Sequence, residues 1–99
     1  MIPDDFTPLM PGKYAKYMME FIKVDEVYLQ GYIYRFEFEN GYGASVVKNT
    51  MSYGYKRDLF EMAVMKDGKL CYDTSITADV LGSLTNDQVL KNLGRIKRL

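Results

Sequence analysis

Between Tyr32 and Glu39 the chain reads Tyr-Ile-Tyr-Arg-Phe-Glu-Phe-Glu, aromatic positions alternating with mostly charged ones, which is the period of a strand with one buried face. Asn40-Gly41 follows and suits the two positive-φ positions of a tight type I′ turn, so residues 32–48 predict a β-hairpin. With Asn40 and Gly41 as the loop, Phe38 faces Gly43, Phe36 faces Ser45 and Tyr34 faces Val47, large rings over smaller partners on a packed face. Arg35, Glu37, Glu39 and Lys48 then occupy the opposite, solvated face.

A second hairpin is predicted where Leu59 to Lys66 and Lys69 to Asp73 flank Asp67-Gly68, the other strong two-residue turn pair. One of its faces carries Phe60, Met62, Val64 and Cys71, the other Leu59, Ala63, Met65, Leu70 and Tyr72. Both are largely apolar, so this hairpin is expected to be the more deeply buried. The connecting segment Asn49 to Asp58 has no clean periodicity and reads as a long loop.

Toward the C-terminus, Thr77 to Gly82 fits one short helical turn closed by glycine. Thr85-x-x-Gln88 is a capping box with Leu84 and Val89 in the staple positions, and Val89, Leu90, Leu93, Ile96 and Leu99 form one apolar stripe of a helix. At the other end, Lys13 to Val24 places Tyr14, Tyr17, Met18, Phe21 and Ile22 at spacings of three and four, an amphipathic helix. A strand through Phe21, Ile22 and Val24 competes with it, because β-branched residues favour the extended form. Residues 1–12 hold all three prolines and read as an extended, weakly ordered arm, with Phe6, Leu9 and Met10 available to clamp it down. The expected fold is α+β: an antiparallel sheet of four or more strands built from two hairpins, the C-terminal helix packed on its aromatic face, and an N-terminal helix. Residues 13–99 make one domain behind the arm.

Composition narrows the function. A chain of 99 residues has room for one hydrophobic core. Thirteen Lys plus Arg balance thirteen Asp plus Glu, so no net field draws the protein to nucleic acid or to an anionic membrane. The apolar runs are too short for a bilayer span and the N-terminus is acidic where a secretory signal is basic, which makes a cytoplasmic location the default. With no histidine and one cysteine, histidine-dependent catalysis and a structural zinc site are excluded. No cofactor is implied, and the chain is not expected to be an enzyme.

Individual candidates each carry a plainer alternative. Cys71 sits between Leu70 and Tyr72 in an apolar strand and reads as core filling, with no base to activate it. Glu37 and Glu39 share a strand face about 7 Å apart, but nearby Arg35 and Lys48 make them surface charge. Gly41-Tyr42-Gly43 lacks the setting of a phosphate loop. Ser52 to Arg57 is the most suggestive segment, since Tyr53 and Tyr55 beside Lys56 and Arg57 have the composition of an adaptable binding loop. Both rings folding back to cap the sheet is the structural alternative. Lys91, Arg95, Lys97 and Arg98 suit phosphate, and equally the negative end of the helix dipole.

Tyr34-Arg35-Phe36-Glu37-Phe38-Glu39-Asn40-Gly41-Tyr42-Gly43-Ala44-Ser45-Val46-Val47, then Ser52-Tyr53-Gly54, Leu59-Phe60-Glu61-Met62-Ala63-Val64 and the run from Cys71 to Thr85, resembles a group of small uncharacterised proteins of bacteriophages and prophages. The resemblance spans about two-thirds of the chain, excludes residues 1–27, and brings no activity, cofactor or catalytic residue with it. It implies a phage or mobile-element context and an accessory factor that binds host machinery. The leading expectation is therefore a protein-binding factor, such as an inhibitor or decoy acting on a host defence or regulatory protein, anti-CRISPR factors included. Two alternatives stay open: a small-ligand or nucleotide binder whose oligomer-lined pocket uses Tyr53, Tyr55, Lys56 and Arg57, and a structural or assembly component of a phage particle. Self-association is left open.

Overall fold

The computed structural model describes residues 6–77 and 79–99. Residues 1–5 of the expected arm and Ala78 of the expected helical turn lie outside that range. Six strands form one antiparallel sheet: β1 (Met18–Asp25), β2 (Gln30–Glu37), β3 (Tyr42–Asn49), β4 (Phe60–Lys66), β5 (Lys69–Leu70) and β6 (Leu81–Leu84). The first four lie side by side in chain order, and β5 and β6 both pair with β4. One α-helix, α1 (Asn86–Lys97), closes the fold, which is thus α+β and mostly sheet. Its capping box is present, with the Thr85 hydroxyl accepting from the Gln88 backbone amide at 3.2 Å and the Gln88 side-chain Oε1 accepting from the Thr85 backbone amide at 2.8 Å.

The helix expected over Lys13 to Val24 is not formed. A single 3-10 turn, Gly12–Tyr17, gives way to strand β1, which pairs with β2 in the register Phe21↔Tyr34, Ile22↔Ile33 and Val24↔Gly31. Pairing with a strongly specified neighbour outweighs the helical spacing, and β-branched Ile22 and Val24 suit the pleat. Tyr14 and Tyr17 still serve the core, each edge-on to Phe38.

The first hairpin forms one residue out of the expected register. Phe36 pairs with Ala44 and Tyr34 with Val46, because the loop has three residues, Glu39-Asn40-Gly41, instead of two. The Gly41 amide donates to the Phe38 carbonyl at 3.1 Å, Gly41 takes φ 85°, and the Phe38 amide then donates to Tyr42. Asn40 stays out of the left-handed region; its side-chain amide donates to the Ile96, Lys97 and Leu99 carbonyls at 3.0, 3.2 and 3.1 Å, tying the turn to the end of α1. A slip of one residue exchanges the two faces of a strand. Ala44, Val46 and Lys48 of β3 are consequently buried while Ser45 and Val47, expected inside, are only half-buried, and Lys48 is not on the solvated face at all.

The second turn is as expected, with Lys66↔Lys69 closing around Asp67 (φ 51°) and Gly68 (φ 80°). Its face of Phe60, Met62, Val64 and Cys71 is buried, whereas Leu70 and Tyr72 on the other face are exposed. Deep burial on both sides fails because α1 covers only one face of the sheet. Leu81 and Gly82, expected to close a helical turn, instead belong to β6 and extend along β4. Val89, Leu93 and Ile96 of α1 are fully buried against β3 and β4, and burying each such side chain is worth about 1.5–3 kcal/mol. Of the arm's three clamps, Phe6 and Leu9 are buried and Met10 is exposed. The Leu9 amide donates to the Tyr34 hydroxyl at 3.0 Å, and burial raises the pKa of that phenol.

Candidate functional site

The segment between β3 and β4 has a backbone pinned at both ends. Asn49 and Ser52, both buried, bond reciprocally: the Asn49 amide donates to the Ser52 hydroxyl at 3.0 Å, and that hydroxyl donates to the Asn49 carbonyl at 2.9 Å. The Met51 amide donates to the Asn49 side chain at 2.9 Å, the pattern by which an Asn replaces a backbone turn. Gly54 then takes φ 89° and accepts from the Arg57 and Leu59 amides at 3.0 and 3.1 Å, starting the 3-10 turn Tyr55–Arg57. Between these two knots the chain runs against β6, where a Cβ added at Gly82 would come within 2.9 Å of the Tyr53 Cβ.

This frame separates the two tyrosines that the sequence grouped. Tyr53 projects outward with 68% of its surface exposed, and Met51 beside it is 76% exposed. Tyr55 is half-buried and packs edge-on against Phe6 of the arm, ring centroids 6.4 Å apart. Lys56 and Arg57 are exposed on the 3-10 turn and make no ion pair among the described residues. An open depression of ≈ 340 Å³ runs from Ser52 to Arg57 and is closed on one side by Ser83. Met51 was not singled out in the sequence; its signal was a large apolar residue inside a segment with no strand or helix period.

Other candidates are dispersed. Glu37 and Glu39 are exposed, and Arg35 pairs instead with Glu20 at 3.2 Å. Cys71 is buried and donates its thiol proton to Asp73 at 2.9 Å, a contact that holds the Asp73 carboxyl below its ordinary pKa. Of the helix cations, Lys91 and Arg95 border one depression, while Lys97 and Arg98 border another together with Lys13 and Lys16. Among the described residues no group of three or more His, Cys, Asp or Glu is placed to hold a metal, and no helix is long and apolar enough to cross a membrane. Comparison with protein-family models, curated proteins and solved structures finds no match to this chain.

Proposed function

We propose that this protein works by binding another protein, with Met51 and Tyr53 as the inserted anchors and Lys56 and Arg57 on the rim. The observation behind this reading is the exposure of two large side chains on a backbone held by buried Asn49 and Ser52. Tyrosine and methionine are enriched at interface centres, and a loop already held in place loses little freedom on binding. The phage-type resemblance supplies the class of partner: a host protein whose defence or regulatory surface is blocked. Binding alone suffices for such a role, so no catalytic step is assigned. The stacking alternative is less well supported, because Tyr55 is engaged with Phe6 and leaves Tyr53 as one ring without its pair.

Affinity capture from host lysate, run in parallel with the wild-type chain and three variants, tests the proposal. Truncating a central interface tyrosine costs about 2 kcal/mol or more, roughly thirtyfold in affinity, and a rim charge much less. Tyr53→Ala is expected to lose the captured protein at an unchanged melting temperature, and Lys56→Ala to retain it. Tyr55→Ala is expected to lower the melting temperature first, through its contact with Phe6. Capture that is indifferent to Tyr53→Ala and Met51→Ala would remove this loop as the binding surface.

A further inference from the structure

The 3-10 turn at Gly12–Tyr17 lies against the last turns of α1, and the contact gathers cations from segments some eighty residues apart in sequence. Lys13 and Lys16 come from the turn, Lys97 and Arg98 from the helix end, and the four border one cleft of ≈ 350 Å³ whose walls include Tyr14 and Tyr17. None of the four makes an ion pair among the described residues. In a chain of zero net charge, four uncompensated cations around one concavity are a local excess that general solubility does not call for.

Helix-dipole complementation does not account for the cluster either. The last carbonyls of α1 are already served by the Asn40 side-chain amide, and Lys13 and Lys16 are not on the helix. The cleft also contains donors without protein acceptors. The Tyr14 hydroxyl makes no hydrogen bond among the described residues, yet it is not sealed from solvent. Gly94 forms the floor: a Cβ there would stand 2.7 Å from the Tyr14 hydroxyl and 3.3 Å from Arg98 Nη1. Both donors therefore lie close together over Gly94, whose lack of a side chain lets the Tyr14 hydroxyl approach the helix there.

We infer that this cleft is a binding site for a compact phosphoryl anion, of the pyrophosphate or nucleoside diphosphate kind. Convergent charge in a concave site suits several negative oxygens on one small group, held by charge-assisted hydrogen bonds from lysine, arginine and tyrosine. An extended nucleic-acid strand is disfavoured, since it needs a track of cations along a surface, together with free aromatic faces. Here the faces are occupied: Lys13 lies over Tyr14 at 5.5 Å, and Lys16 and Lys97 lie over Tyr17 at 5.3 and 5.6 Å. The site is separate from the Met51–Tyr53 surface and does not depend on the function proposed for it.

Isothermal titration of the full chain with inorganic pyrophosphate at low ionic strength tests the inference, with adenosine diphosphate, adenosine, a single-stranded oligonucleotide and a glutamate-rich peptide as parallel ligands. Saturable binding of pyrophosphate and of adenosine diphosphate, none of adenosine, and weakening with added salt are expected. Tighter binding of the diphosphate than of pyrophosphate would identify a nucleotide as the source of the phosphoryl group, and equal binding an inorganic one. Removing two charge-assisted contacts in Lys16→Gln/Lys97→Gln should weaken binding by about tenfold or more, and Tyr14→Phe by roughly threefold. Lys56→Gln/Arg57→Gln, with the same charge loss on the far loop, should leave it unchanged. Tyr14→Phe alters one atom and keeps the test open if the double variant does not fold. The inference is overturned by no saturation up to about 10 mM pyrophosphate, by equal losses in the far-loop variant, or by tighter binding of the oligonucleotide or the peptide.

Discussion

Lys48 Nζ lies 2.6 Å from Asp58 Oδ1, and the two residues grip the N-terminal arm between them: Lys48 also donates to the Thr7 carbonyl at 2.7 Å, and the Thr7 amide donates to the same Asp58 oxygen at 2.8 Å. The ammonium rests 3.9 Å from the Phe60 ring centroid and is 1% exposed. One ion pair thus joins the end of β3, the end of the Met51–Tyr53 loop and the arm. A buried ammonium needs such partners, because desolvation without them costs several kcal/mol.

Lys48 is buried but Asp58 is one-third exposed, so removing the carboxylate should cost less than the roughly 3–5 kcal/mol typical of a fully buried pair, while leaving the ammonium unmatched. Asp58→Asn should therefore lower stability at neutral pH and loosen the arm, seen as faster proteolysis ahead of Gly12. The pH dependence has a definite sign. Burial acts to raise the Asp58 pKa, but hydrogen bonds from Lys48 and Thr7 outweigh it and hold the carboxyl below its ordinary 3.8. A depressed carboxyl adds stability above the unfolded-state pKa and loses it as pH falls through the folded-state one. The gap between wild type and Asp58→Asn in denaturant melts should close as pH is lowered below about 4; a gap constant down to acid would contradict the coupling.

Glu61 gives the opposite sign. Burial, with a smaller push from Asp79, raises its pKa above the ordinary 4.5, so ionising it is less favourable in the folded chain than in the unfolded one. Its contribution is present below the unfolded pKa and is lost as pH rises through the folded one. Glu61→Gln is expected to melt higher than wild type at neutral pH, with the advantage shrinking in acid. A variant that melts lower at neutral pH would show that the carboxylate makes a favourable contact there.

Leu93 and Ile96 are fully buried beneath the sheet, whereas Leu99 of the same stripe is partly exposed. Leu93→Ala and Ile96→Ala should each cost about 2–5 kcal/mol, the lost burial plus the cavity left behind. Leu99→Ala should stay within about 0.5 kcal/mol. Urea denaturation midpoints at constant slope provide the comparison.

Gly31 and Gly68 both have positive φ, 150° and 80°, but only one is crowded. A Cβ at Gly31 would fall 2.1 Å from the Lys48 carbonyl oxygen and 2.5 Å from the Asn49 Cα, whereas at Gly68 nothing lies within 4 Å. Gly68→Ala should cost only the backbone strain, about 1–2 kcal/mol. Gly31→Ala has to part β2 from β3 and is expected to prevent recovery of folded protein. Comparable melting curves for the two variants would contradict this.

Much of the architecture was written locally. The Thr85–Gln88 capping box, the Asp67-Gly68 turn and the aromatic alternation of β2 are each specified by residues within a few positions of one another, so periodicity and turn chemistry sufficed to read them. The composition of the 49–57 loop was legible too, but not the placement of its rings, because Tyr55 packs against Phe6 from another part of the chain. Register, the strand at Met18–Asp25 and the burial of Lys48 were decided by the tertiary structure. Asn40 is drawn to the carbonyls at the end of α1, which lengthens its turn by one residue and exchanges the faces of β3. That exchange sends Lys48 inward, where Asp58 and Thr7 receive it. The basic cleft follows the same logic, since Lys13 and Lys97 acquire a common site only when the first turn packs on the last helix. Local pattern sufficed for the capped helix, the Asp67-Gly68 turn and the alternating face of β2. Which partner each element meets, and at what offset, depends on hydrogen bonds between residues far apart in sequence, and no window along the chain contains them.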